Sequence, residues 1–159
     1  MKVWRICRER YVESALTGEG ARLAGGRWNS VDVPMVYTSW CLSLAALEVF
    51  VNLDPGNQPA DLVWIAVEAP VDEQWKRRAD KDYLSSLPPH WRERDNPDTK
   101  RFGDDWIRSN RSAGLVVPSV LIEGEWNVLL NPAHPEAKKV RVVEKKPFRF
   151  DERMFRRRD

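Results

Sequence analysis

A single carboxylate, Glu48, lies inside the most apolar stretch of the chain, and that stretch restricts the fold more than any other segment. Residues Cys41 to Val51 read CLSLAALEVFV. Apolar residues at helical spacing cover almost every face, the pattern of a helix buried on more than one side. On such a helix the neighbours of Glu48 at three and four residues are Leu44, Ala45, Val51 and Asn52, and none neutralises it. A carboxylate taken out of water without a partner costs several kcal/mol or takes up a proton. Glu48 therefore borders a cavity or meets a cation from elsewhere. The simplest partner is one of the chain's many arginines; a functional role requires other polar residues to converge on it.

The 159 residues fit one domain, 1–159, with a basic C-terminal tail from about residue 152. Charged residues at 31% and hydrophobic ones at 42% are ordinary for a soluble globular protein. No apolar run reaches membrane-spanning length, and the N-terminus MKVWRICRER lacks the apolar centre of a signal peptide, so a cytoplasmic protein with no membrane association is expected. Cys7 and Cys41 make no disulfide framework, and His90 and His134 are not spaced for a metal, so no metal site is expected. Eight tryptophans follow no period, which excludes repeats, and most are expected in the core. Residues 138–159 hold ten Lys or Arg against four acids, a balance of +6 in a chain of net charge +2. A basic tail of this kind is a solubilising terminus or a docking point for an acidic partner; nucleic-acid binding is the weaker alternative.

Lys2 to Ile6 alternates polar and apolar residues and predicts a strand with one solvated face. A glycine-rich loop follows from Leu16 to Asn29. Pro34 to Thr38 predicts a short strand, with Thr38 or Ser39 capping the apolar helix and a turn at 54–59 ending it. Leu62 to Val67 reads as a buried strand. The charged, proline-punctuated residues 72–101 read as loops with short helices, a candidate flap over a site. Asp98 to Ser109 predicts a helix with Phe102, Trp106 and Ile107 on its apolar stripe, weakened by Gly103. Ala113 to Ile122, Asn127 to Leu130 and Val140 to Glu144 complete the strand candidates. The mixed order predicts an α+β domain, one compact twisted sheet of mixed or antiparallel strands with flanking helices.

Four groups of residues carry candidate chemistry. Gly25-Gly26-Arg27-Trp28-Asn29 projects an arginine from a constrained loop, and a guanidinium fork suits phosphate or carboxylate; a plain turn whose Arg27 pairs with Glu48 or with solvent is the alternative. Tyr37 precedes the Glu48 helix and otherwise reads as a half-buried core residue. Ser119 places a hydroxyl within an apolar strand, beside Pro118, which marks an edge or bulge. Asn127 and Asn131 bracket an apolar run, where ordinary turn chemistry is the favoured reading for Asn131. No Gly-x-Ser-x-Gly elbow and no Cys/His pair is present.

In order along the chain, Trp4-Arg5, Gly18-Glu-Gly-Ala-Arg22, Gly25-Gly-Arg-Trp-Asn29, Val36-Tyr-Thr-Ser39, Leu44-Ala-Ala-Leu-Glu48, Gly103-Asp-Asp-Trp106, Val117-Pro-Ser119 and Leu129-Leu-Asn-Pro132 resemble the motifs of the RES-domain family. The resemblance runs from the first strand to the tail. It implies an ADP-ribosyltransferase-like fold and the toxin half of a toxin–antitoxin module. It further implies an Xre-type helix-turn-helix antitoxin as partner, and leaves open a higher-order toxin–antitoxin oligomer. The activity it implies is degradation of NAD+ at the nicotinamide–ribose bond by hydrolysis, phosphorolysis or ADP-ribosyl transfer. NAD+ is then substrate rather than cofactor, with inorganic phosphate as co-substrate in the phosphorolytic version. Arg27, Glu48 and Ser119 correspond to the family's naming residues, and Tyr37 joins them as a catalytic candidate. Arg27, Trp28, Asn29, Tyr37, Ser119 and Asn127 are the candidate NAD+-binding residues, with Ser119 expected to bond the ribose or the carboxamide. A nucleic-acid-directed toxin using the basic tail is the alternative reading.

Overall fold

The computed structural model describes residues 1–54, 59–71 and 86–155. Its elements are β1 (Lys2–Arg8), α1 (Glu19–Ala24), β2 (Val36–Ser39), α2 (Leu42–Phe50), β3 (Leu62–Glu68), α3 (Pro97–Ser109), β4 (Gly114–Pro118), β5 (Trp126–Leu130) and β6 (Arg141–Pro147). Three short 3-10 turns lie at Glu9–Tyr11, Pro135–Lys139 and Glu152–Phe155. The strands form a six-stranded sheet in the order β4-β5-β2-β1-β3-β6, with every neighbouring pair antiparallel. This is the expected α+β architecture. The turn at 54–59, the flap at 72–101 and the basic tail fall partly outside the described residues.

Valine, leucine and isoleucine on β3, β4 and β5 supply the central core, where Ile65, Val67, Val117, Val128 and Leu129 are fully buried. β1 is covered on both faces, so the expected solvated face is absent: Val3 and Cys7 join the central core on one side, and Ile6 and the half-buried Trp4 pack with Ala45 of α2 on the other. The apolar helix α2 is covered on two sides. Ala45 packs with Ile6 and Leu62, while the Phe50 ring packs tilted against Phe150 and Phe155 of the C-terminal segment. Its cap is not the expected Thr38 or Ser39. Those hydroxyls donate across the sheet, to the Val128 carbonyl at 2.6 Å and to Asn127 at 2.7 Å, because β2 stays paired with β5 to its last residue; Cys41 holds the cap position.

Two further expectations change. The glycine-rich loop contains the short helix α1, and the strand expected over 113–122 ends at Pro118, on the edge strand β4. Of the seven described tryptophans only Trp28 and Trp106 are fully buried; the other five are half-buried at the margins of the core, and Trp75 lies outside the described residues.

α3 begins where Asn96 accepts from the Asp98 and Thr99 amides at 2.9 and 3.2 Å, with Pro97 in the first turn. Gly103, unfavourable in isolation, is demanded by packing: a Cβ there would stand 1.8 Å from the Trp28 carbonyl oxygen. Thus α3 presses directly on the backbone next to Arg27.

Candidate active site

β2, β5 and α2 bring Glu48 to a polar cluster at one end of the sheet. Asn127 Nδ2 donates to Glu48 Oε1 at 2.6 Å, and Asn127 Oδ1 accepts from Ser39 at 2.7 Å, its directly paired residue on β2. Ser119 Oγ donates to the same Glu48 Oε1 at 3.4 Å and accepts from the Leu121 and Ile122 amides at 3.0 and 3.3 Å. Its single proton and both lone pairs are therefore engaged, and the side chain is buried. The hydroxyl expected to bond the ribose or the carboxamide has these protein partners. Ser119 holds Glu48 and the turn that follows β4. Asn52, one turn beyond Glu48, donates to its backbone carbonyl at 2.9 Å.

Glu48 stands where two cavities meet. A cleft of about 620 Å³ is bordered by Arg27, Trp28, Tyr37, Glu48, Arg94 and Asn127, and a smaller one of about 290 Å³ by Arg5, Tyr37, Ser39, Glu48, Asn52 and Asn127. Tyr37, Glu48, Asn52 and Asn127 line both.

The opposite wall is the Gly25–Asn29 segment. Arg27 does not pair with Glu48. Its Nη1 donates to the carbonyls of Trp91, Arg92 and Glu93 at 3.1, 3.0 and 2.7 Å, fastening the 90–96 loop to the cleft. Burial pushes its ionisation below the ordinary arginine value, against the attraction of Glu48 across the cleft. Tyr37 supports this wall from below. Its hydroxyl donates to Asn29 Oδ1 at 2.7 Å and accepts from the Trp28 amide at 3.0 Å; a Cβ on Gly26 would lie 2.5 Å from it, which is why only glycine fits there. Burial drives the phenol well above its usual range, so Tyr37 stays a neutral donor.

The remaining binding candidates divide. Trp28 borders the cleft but is only 3% exposed, its ring stacked on Trp91 at 6.0 Å and edge-on to Phe102 at 5.9 Å. Asn29 is fully buried, its amide donating to the carbonyls of Ala21, Ser30 and Val33 at 2.9–3.0 Å. It shapes the loop, and its side-chain amide is engaged by these carbonyls. The fully buried Asn131 lies apart from the cleft, bonded to Asn110.

Sequence reasoning did not single out Arg5, Ser39 or Asn52. Arg5 donates through Nη1 to the Tyr37 carbonyl at 2.9 Å, while its buried Nε has no hydrogen-bond partner. Among the described residues no carboxylate pairs with it, and burial lowers its ionisation. A shielded cation beside a cavity is costly without a counter-ion. Its signal in the sequence was one arginine in an otherwise alternating strand, which reads as solvated.

No helix among the described residues is long and apolar enough to cross a membrane. In whole-chain comparison, a Sphingobium sp. (strain YBL2) protein named Prs ADP-ribosylating toxin is 36% identical over 157 residues, covering 97% of this chain and 96% of that protein. A Photorhabdus laumondii protein named Toxin Res is 34% identical over 158 residues, 98% of each chain. Among solved structures, a chain of the M. tuberculosis MbcT-MbcA toxin–antitoxin complex superposes with a TM-score of 0.62 over 97% of this chain and 86% of its own. At 15% identity that match speaks for the fold alone. The family model for the RES domain matches residues 2–151, nearly the whole length. The chain belongs to the RES domain family.

Proposed function

We propose that this protein is the toxin of a toxin–antitoxin module and that it degrades NAD+ at the nicotinamide–ribose bond. The observation that carries the reading is the placement of Glu48: a carboxylate oriented by Asn127 and Ser119 at the junction of two cavities, facing Arg27 across the larger one. The relative named Prs ADP-ribosylating toxin supports this chemistry, and the one named Toxin Res supports the toxin role.

In this reading the cleft takes a molecule that is cationic at one end and anionic further along. The nicotinamide ring meets Glu48 and Tyr37; the diphosphate meets the Arg27 side. As the C1′–N bond breaks, nicotinamide leaves with the bonding pair and becomes neutral, and the ribose acquires oxocarbenium character. Glu48 stabilises that charge more as it develops than in the bound substrate, which is what accelerates the step. The cation is then captured by water, which loses a proton, by phosphate, or by a nucleophile on an acceptor protein. Arg5 supplies an unpaired positive charge in the smaller cavity, where an anionic group becomes its counter-ion. Asn127, Ser119 and Asn29 act through the groups they hold.

The test incubates purified protein with NAD+, with and without phosphate, and follows nicotinamide by chromatography. Free ADP-ribose identifies hydrolysis, ADP-ribose-1″-phosphate identifies phosphorolysis, and label retained on protein identifies transfer. Glu48→Gln is expected to keep the fold and reduce nicotinamide release by roughly a thousandfold. NAD+ left intact alongside degraded RNA would instead support the nucleic-acid-directed toxin. The partner we propose is an Xre-type antitoxin; co-purification of a helix-turn-helix protein encoded beside the toxin, with loss of activity in the complex, is the expected result.

A further inference from the structure

The 90–96 loop is fastened from every side. Arg27 holds three consecutive carbonyls from within, and Asn96 Nδ2 closes its base on the Pro89 and His90 carbonyls at 3.3 and 3.2 Å. The backbone turns through positive φ at both ends, 59° at His90 and 58° at Asp95. Nearly every side chain on it has a partner within the protein. Trp91 stacks on Trp28, Arg92 lies over the Trp91 ring at 4.7 Å, Glu93 meets His90 at 3.2 Å, and Asp95 takes Lys100 at 3.2 Å.

Arg94 is the most loosely held. Its side chain is 91% exposed, it borders the cleft together with Arg27, and its ion pair is a long one, 4.0 Å to Asp95 Oδ2, while Lys100 takes Asp95 Oδ1 at 3.2 Å. Arg94 and Arg27 repel each other; Asp95, also at the cleft, offsets part of their charge but is shared with Lys100, so this side stays net cationic while Glu48 stands on the other. A doubly charged anion relieves that repulsion, and a guanidinium fork is well shaped for phosphate oxygens. A loop already fixed in place binds without the cost of ordering itself.

We propose that Arg94 is a second anchor for the diphosphate of the dinucleotide and so sets which substrates this cleft retains; this rests on the NAD+ reading above. Arg27 fixes the loop, and the loop carries Arg94 to the anion. Selection then falls on the diphosphate and not on the nicotinamide ring.

The experiment uses the full chain and compares Arg94→Glu and Arg94→Gln with the parent in steady-state nicotinamide release from NAD+, with ADP-ribose and nicotinamide as separate inhibitors. KM for NAD+ is expected to rise about tenfold in Arg94→Glu and about threefold in Arg94→Gln, the scale of one charge-assisted hydrogen bond. Inhibition by ADP-ribose weakens in parallel, while inhibition by nicotinamide is unchanged. An unchanged KM in both variants, with the parent turning over NAD+, overturns the role of Arg94 and leaves the NAD+ reading standing. Equal weakening of both inhibitors also overturns it, by showing a general distortion of the cleft. A parent protein that releases no nicotinamide overturns the NAD+ reading and this proposal together.

Discussion

The two walls of the cleft are built by opposite means. On the Glu48 side, side chains from three elements bond to one another: Ser39 of β2 to Asn127 of β5, Asn127 to Glu48 of α2, and Ser119 to Glu48. On the Arg27 side, side chains bond mainly to backbone: Arg27 to the 91–93 carbonyls, Asn29 to three carbonyls, Tyr37 to the Trp28 amide. The first arrangement aims one carboxylate and leaves the chain path to the sheet. The second determines the chain path itself, and the charges of Arg27 and Arg94 follow from it. Changes on the Glu48 side should therefore appear in the rate of the chemical step, and changes on the Arg27 side in stability and in substrate affinity.

Gly103→Ala is the most severe test of the second half of that statement. The new Cβ meets a backbone oxygen, Trp28 O, at 1.8 Å, so no side-chain rotation relieves it. The gain in helix propensity, about 1 kcal/mol, is smaller than the overpacking cost, about 3–4 kcal/mol at so close an approach to backbone, and a net loss of about 2–3 kcal/mol is expected in urea unfolding. A variant as stable as the parent would show that α3 does not brace this wall. Asn127→Ala tests the other wall. It removes the 2.6 Å bond to Glu48 and should lower kcat for nicotinamide release by about a hundredfold, the cost of losing aim at a reacting group, with KM within a factor of about three. A rise in KM with kcat intact would reverse the assignment of the two walls. Arg27→Ala should raise KM about tenfold, and combining it with Arg94→Glu should cost less than the product of the two, because the first substitution already frees the loop that carries Arg94. Full multiplicativity would separate the two arginines.

The same contrast explains what could be read in the sequence. Strands β3 and β5 and helix α3 announce themselves because local pattern and burial agree: an apolar run in Leu62–Glu68 and Trp126–Leu130, and an apolar stripe in Pro97–Ser109. The short helix α1 was missed because its six residues, EGARLA, form no apolar stripe and bury none of their side chains. Glu48 was conspicuous for its misplaced charge, but its partners are 71 and 79 residues away, a distance that only strand register closes. Ser119 reads as a strand residue because the apolar run continues through Val120, Leu121 and Ile122, although Pro118 marks the edge strand where β4 ends. Arg5 gives no local sign because alternation in β1 implies a wet face, and nothing nearby in the chain reveals that its guanidinium is buried beside a cavity. Residue types mark members of both walls, Glu48 and Ser119 on one and Gly25–Asn29 and Tyr37 on the other; what they do not show is the partner, since the carbonyls that Arg27 holds belong to residues 91–93.

Tyr37→Phe probes the smallest effect and the join between the walls, since Tyr37 borders both cavities while its hydroxyl serves the loop. Near neutral pH the variant should lose about 1–2 kcal/mol, because Asn29 Oδ1 and the Trp28 amide lose their shared partner in a buried place. The phenol is pushed above its ordinary value of 10.0 in the folded protein, chiefly by burial. Above that pH the unfolded chain gives up the tyrosine proton while the folded chain keeps it. The unfolded state then binds fewer protons, so this group's contribution to stability declines as pH rises. Phenylalanine has no proton to lose, and the stability gap between parent and variant should shrink from about pH 10 upward. Other tyrosines and lysines titrate equally in both proteins and cancel in the difference. Urea unfolding of the pair at pH 7 and across the alkaline range measures that gap. A gap that stays constant would mean the hydroxyl ionises as freely folded as unfolded, and Tyr37 would then belong to the wetter, substrate-facing side of the cleft rather than to the scaffold of the loop.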